Sequence, residues 1–283
     1  VLVSIAKTVR YSLNYLLKVI VGERREALLV GSLIIWGTLC ALSPKGVHWL
    51  ILKVRDPFAE HSYDYKVAEQ LAKWHNVQQV SLPINVDGSM FGDFAIGEPD
   101  APIQIVEFAD FECPGCRALY AGMRDILDKF KGRYRLVFKN YPLDKGCNPR
   151  MKFVLHVNAC LAASFIRCAG EQGRFWQGVD FAFTTTLLEG RTRQRPGQRV
   201  ESQANPLAPE SFLSAASSEL GLDLIGLSEC VDSWRYRDVI LREVSEGDSL
   251  GLTSTPSIWV NGKMVERPNP QLLEAIFNDI TKR

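Results

Sequence analysis

The stretch FADFECPGCRALY, Phe108 to Tyr120, sets Cys113 and Cys116 in a C-x-x-C spacing. It lies where a run of strand composition gives way to a segment of helical period. The run IQIVEF (Ile103–Phe108) has the residue types and length of a buried strand. The segment RALYAGMRDILDKF carries apolar residues near helical spacing. Two cysteines at such a junction have three uses: half of a zinc site, a structural staple, or a redox pair. Zinc needs two further ligands. The four histidines, His48, His61, His75 and His156, form no matching cluster. A staple across two residues removes little chain entropy. The redox pair is the reading that the position favours. A cysteine at a helix start faces unpaired N–H groups and the positive end of the dipole, which lower its thiol pKa. The thiolate attacks a disulfide, and the second thiol resolves the mixed disulfide. Cys113 is then the nucleophile and Cys116 its resolving partner, with Pro114 and Gly115 tuning how well the reduced state is held.

The other cysteines point the same way. Of seven, Cys40 lies in an apolar run, and the remaining six make an even set suited to an oxidising compartment. Cys147, Cys160, Cys168 and Cys230 fall in a long helical middle or at its entry. Cys160 and Cys168 lie about 12 Å apart along a helix, too far to bond each other. Each therefore pairs elsewhere or stays free. We favour Cys147–Cys160 and Cys168–Cys230 as staples, the alternative being buried free thiols. The chain of 283 residues is 46% hydrophobic with a net charge of +1, so it gives no reason to expect nucleic acid. No phosphate-binding loop, dinucleotide fingerprint, metalloprotease motif or repeat is present. No metal or organic cofactor is implied.

The front of the chain reads differently. Ala27 to Ser43 carries no charge, and VHWLIL (Val47–Leu52) resumes the apolar run after Pro44, Lys45 and Gly46. We read a transmembrane helix over 27–52 within a membrane-associated segment 1–55. A signal peptide and a buried core helix are the rivals. Basic residues before the span (Lys7, Arg10, Lys18, Arg24, Arg25) favour a cytoplasmic start, and Lys45, Lys53 and Arg55 weaken that bias. The start at Val1 fits a piece of a longer membrane protein. Residues 56–90 read as a linker with a short helix over Tyr65–Trp74.

Beyond the helix after Cys116, YRLVFKNYPL reads as a second strand. SIWV, the Asn261-Gly262 turn and KMV read as a hairpin. Asn269-Pro270 caps a final helix, QLLEAIFNDI. The middle, about 148–249, is helical in composition, with a polar loop from Glu189 to Pro209. Within it, Phe175-Trp176 reads as a packing anchor and His156 as a packed helix residue without a visible partner; Trp259 reads as core.

This order resembles the DsbA-like thiol–disulfide oxidoreductases over about Phe91 to Arg283. Three features carry the resemblance: EFADFECPGC after a strand, the S-T-P at Ser254–Pro256 before a hairpin, and the helical stretch between them. That stretch is far longer than in a plain thioredoxin. The expected fold is α/β, thioredoxin-like with an inserted helical subdomain, preceded by a membrane helix. The resemblance implies that Pro256 is the family's cis-proline facing the cysteine pair. It implies that Thr255 offers backbone groups to an extended substrate, and that Glu107 is a buried acid beneath the motif that takes the Cys116 proton. Glu112 is read as a surface residue whose charge opposes the thiolate. The function implied is a membrane-tethered, extracytoplasmic (periplasmic) protein disulfide oxidoreductase. Its partners would be exported protein thiols and a membrane quinone-linked oxidase or other redox partner. The Pro-Gly middle pair favours oxidase over a dedicated reductase or isomerase. An interaction module that keeps the fold without the chemistry is the reading of another class. DsbA-like domains also occur fused to quinone-linked oxidases resembling vitamin K epoxide reductase, a context that the apolar front fits.

Overall fold

The computed structural model describes residues 59–185 and 209–282. The chain divides into two compact units, Val1–Ala68 and Glu69–Arg283. The expected membrane segment lies outside the described residues, as does nearly all of the polar loop. Among the described residues, no helix is long and apolar enough to cross a membrane. Helix α1 (Ala59–His75) runs longer than the expected Tyr65–Trp74, and its Trp74 is buried in the core of the second unit.

That unit is built on a five-stranded sheet of order β1-β3-β2-β4-β5. The strands are β1 (Phe94–Gly97), β2 (Ile103–Ala109), β3 (Tyr134–Asn140), β4 (Ser257–Val260) and β5 (Lys263–Val265). β2 and β3 run parallel and every other neighbouring pair is antiparallel. The parallel pair needs a crossover, and α2 (Pro114–Lys129) supplies it. The β4–β5 hairpin turns on Asn261 and Gly262, at φ 50° and 76°, the left-handed backbone that this dipeptide suits. α8 (Pro270–Lys282) starts where Asn269 Oδ1 accepts the Leu272 N–H at 3.0 Å.

Both faces of the sheet are covered, so β2 is buried along nearly its whole length rather than at alternate residues. Ile103 and Ile105 pack with Leu119, Met123 and Ile126 of α2 and with Leu272, Leu273, Ile276 and Phe277 of α8. Val106, Phe108 and Trp259 pack on the other face with Val244. Side chains alternate along a strand, so Glu107 shares the face of Ile103 and Ile105 that lies under α2.

Among the described residues, five helices lie between β3 and β4: α3 (Ala159–Glu171), α4 (Phe175–Thr184), α5 (Pro209–Leu220), α6 (Leu224–Asp232) and α7 (Arg237–Ser249). Their core is largely aromatic, with Phe165, Phe181 and Phe212 in mutual ring contact. Cys168 of α3 bonds Cys230 of α6, and Cys147 bonds Cys160, with Cα–Cα distances of 5.9 and 5.8 Å. Buried charges join the helices to the sheet. Arg167 of α3 pairs with Glu243 of α7 and donates to Gly92 O at 2.7 Å. Lys139 of β3 pairs with Asp93 at 2.8 Å and Glu246 at 2.5 Å. Each ion is matched, which is the condition for tolerating charge at zero exposure.

Candidate active site

Cys113 stands just before the first turn of α2, with extended backbone, and Pro114 takes a first-turn position. A proline there gives up an N–H that has no helical partner anyway. Both thiols of the motif are free. Cys116 is fully buried, and Cys113 keeps 7% of its surface. The two cysteines, Phe111 and Phe138 belong to one apolar cluster with the inserted helices. The motif therefore sits where the sheet core meets the insertion.

Opposite it lies the loop entering β4. The Thr255–Pro256 peptide is cis, and the Cys113 thiol donates to the Thr255 carbonyl at 3.3 Å, across 142 positions of sequence. Gly115 permits this approach: a Cβ on it would lie 3.2 Å from Pro256 Cδ and 3.7 Å from Cys113 Sγ. The structure thus brings together Cys113, Pro114, Gly115, Cys116, Thr255 and Pro256.

The electrostatics separate the two thiols. The Cys113 pKa is lowered to about 5, first by the hydrogen bond from Cys116, which with those from the Cys116 and Gly115 backbone helps to outweigh burial. Burial drives the Cys116 thiol strongly upward, helped by its bond to Cys113 and by nearby Glu107. Glu107 is 1% exposed, with Oε1 unpartnered, and burial pushes its carboxyl up to about 8. A buried acid near a protonated resolving thiol is placed to exchange a proton with it.

Two expectations are corrected. His156 is not on a helix: it lies in the loop ahead of α3, where its N–H and that of Leu155 both donate to Leu143 O. It also has a partner, because its Nδ1 is 3.1 Å from Asp110 Oδ2, though off the hydrogen-bonding line. Glu112 is not a free surface residue. It is half-buried, and its carboxylate accepts from the backbone and side-chain N–H groups of Asn158. Sequence reading passed over Asp110, whose only signal was its place between the strand and the motif. Cys147, Cys160, Cys168 and Cys230 lie outside the motif as two closed disulfides. Among the described residues, no group of histidine, cysteine and carboxylate side chains could hold a metal ion.

A family model described as thioredoxin matches residues 91–279. The chain belongs to the thioredoxin family. Within that family its fold is DsbA-like. BdbD of Bacillus subtilis superposes at a TM-score of 0.51 with 18% identity, over 72% of this chain and 100% of that one. The alpha-DsbA1 of Wolbachia pipientis does so at 0.53 with 17% identity, over 71% and 94%. Among curated relatives, the Na(+)/H(+) antiporter NhaA 3 of Salinispora tropica is 28% identical over 67% of this chain and 24% of its own length. NhaA 1 of Salinispora arenicola is 29% identical over 65% and 24%. The chain thus spans about a quarter of the curated relatives that it matches. For a thioredoxin-family chain, the arrangement around Cys113 is suited to dithiol–disulfide exchange.

Proposed function

We propose that this chain is a protein disulfide oxidoreductase that forms disulfides in exported proteins. The observation that carries the reading is the asymmetry of the pair: a thiol that keeps a little exposure and is lowered to about 5, beside a fully buried thiol driven upward. In the oxidising direction, a substrate thiolate attacks Cys113 Sγ of the Cys113–Cys116 disulfide. The S–S bond breaks, and Cys116 leaves with the electron pair and takes a proton, for which Glu107 is the donor at hand. A second substrate thiolate attacks the substrate sulfur of the mixed disulfide and releases Cys113 as thiolate. The substrate is oxidised by two electrons and the pair is reduced. A low pKa makes Cys113 a good leaving group and holds the reduced state, which favours giving disulfides away. Thr255 offers its backbone to an extended substrate segment.

The apolar, uncharged run at Ala27–Ser43 supports a membrane tether, with the thioredoxin-like unit on the extracytoplasmic side. A further redox partner must reoxidise the pair. The expected link to a quinone-linked oxidase has no support in the relatives above, which are named as antiporters. Those names favour a second context, a thioredoxin-like unit carried by a membrane ion transporter.

The test is trapping. Cys116→Ser leaves the mixed disulfide unresolved from within, so cells carrying it accumulate reducible adducts of several exported proteins on non-reducing gels. The further change Cys113→Ser abolishes them. Absence of adducts, with Cys113→Ser still supporting function, would replace this reading with the interaction-module one.

A further inference from the structure

Two carboxylates, Asp110 and Glu112, come just before Cys113, and both are held in place. Asp110 accepts the Glu112 N–H at 2.8 Å through Oδ1 and the Leu143 N–H at 2.6 Å through Oδ2. Glu112 is held by Asn158. A negative charge close to a thiol opposes its ionisation, and Asp110 and Glu112 stand three positions and one position before Cys113. The Asp110 side chain is fully buried, and a buried carboxylate calls for a nearby cation.

His156 answers that need. Its side chain is 13% exposed and reaches Asp110 at 3.1 Å. The loop carrying it is pinned to the motif at both ends, by Leu143 on Asp110 and Asn158 on Glu112. The Cys147–Cys160 disulfide closes the same loop. The groups acting on the imidazole are Asp110 and Glu112 from the motif and Cys113 at the helix start. Burial disfavours its charge, but these three acids together outweigh burial and raise its pKa. Across the loop, Asp144 faces Asp110 and has Lys145 beside it.

We propose that His156 is a positioning residue for Cys113: the imidazolium, held by Asp110 on the stapled loop, supplies the countercharge that keeps the thiolate ionised beside the carboxylates of the motif. The proposal rests on the reading of Cys113 as the reactive thiol. Its consequence is a dependence on pH. As His156 loses its proton, the countercharge goes and the carboxylates act unopposed.

Two measurements on the full chain test it, the first on its reduced form. The first is the titration midpoint of Cys113 from thiolate ultraviolet absorbance. His156→Gln raises the proton affinity of Cys113 about tenfold, and His156→Lys, which keeps a cation, restores most of the loss. The second needs no variant. By reciprocity, the His156 imidazole of the unmutated chain titrates at higher pH when the pair is reduced than when Cys113 and Cys116 are joined. Proton magnetic resonance reads this directly, with four histidines in the chain. An unchanged Cys113 midpoint in folded His156→Gln, or an imidazole titration indifferent to the redox state, overturns the proposal. Neither readout uses a protein substrate. A chain that shows both shifts but exchanges no disulfides would defeat the oxidoreductase reading and leave this inference standing.

Discussion

At the scale of single residues, the site is an arrangement of opposed pKa shifts. Cys113 is held at about 5 against an ordinary 9.0. Alkylation of the reduced protein by iodoacetamide should therefore rise through about pH 5 and be nearly level at neutrality, with Cys116 protected. Peptide mapping that found Cys116 modified first would reverse the assigned roles. The same shift acts on stability. The depressed folded value means that the Cys113 contribution is present above the unfolded thiol's pKa and is lost as pH falls through about 5. Glu107 runs the other way. Its folded value, about 8, is raised above 4.5, so its contribution is full below pH 4.5 and lost as pH rises through 8. Glu107→Gln does not titrate. Its stability relative to the parent should therefore climb between about pH 5 and pH 9, by roughly 4 kcal/mol, as read by urea melts of both proteins at the two pH values. A constant difference would mean that the carboxyl is not held neutral. The resemblance implies burial of Glu107; the missing partner for Oε1 is seen only in the structure.

At the scale of elements, patterned segments were legible and pair-defined ones were not. The hairpin SIWV–NG–KMV, the capped final helix and the strand–C-x-x-C–helix junction each carry their signal locally. β1 does not. It is four residues, FAIG, half-exposed to exposed, and exists through its register on β3. Without alternation or length, nothing in those residues separates it from a turn. The His156 loop failed for a related reason. Its composition suits a helix, but the Leu143 carbonyl and the Asp110 carboxylate claim it. Helix contacts also set the small residues. A β-carbon on Gly122 of α2 would overlap the Pro270 ring at the start of α8. Alanine is the better helix former by about 1 kcal/mol, yet overpacking costs about 1–3 kcal/mol. Gly122→Ala should therefore lower stability by about 1 kcal/mol in urea unfolding. A gain would show that α8 yields freely at that contact.

At the scale of the whole molecule, the inserted helices are tied down by cross-links and buried ions. The disulfides close sequence separations of 62 and 13 residues. Loop-closure entropy makes the longer worth about 4 kcal/mol and the shorter about 3 kcal/mol. Replacing Cys168 and Cys230 together by alanine should cost more than replacing Cys147 and Cys160, as measured by equilibrium unfolding of the Cys113–Cys116 reduced protein. The reverse order would show that the shorter bridge acts chiefly by holding the loop of His156 against the motif. The sequence alone determined the chemistry available: a C-x-x-C at a helix start, a Thr-Pro ahead of a hairpin, and an even set of further cysteines. These are local patterns, and local backbone sterics and hydrogen bonding suffice to interpret them. Only the tertiary structure decided which groups surround the thiols. The Asp110–His156 contact, the Arg167–Glu243 and Lys139–Asp93 pairs and the approach of Thr255 to Cys113 join residues far apart in the chain. Their energies arise from burial and distance, which have no value until the chain has folded.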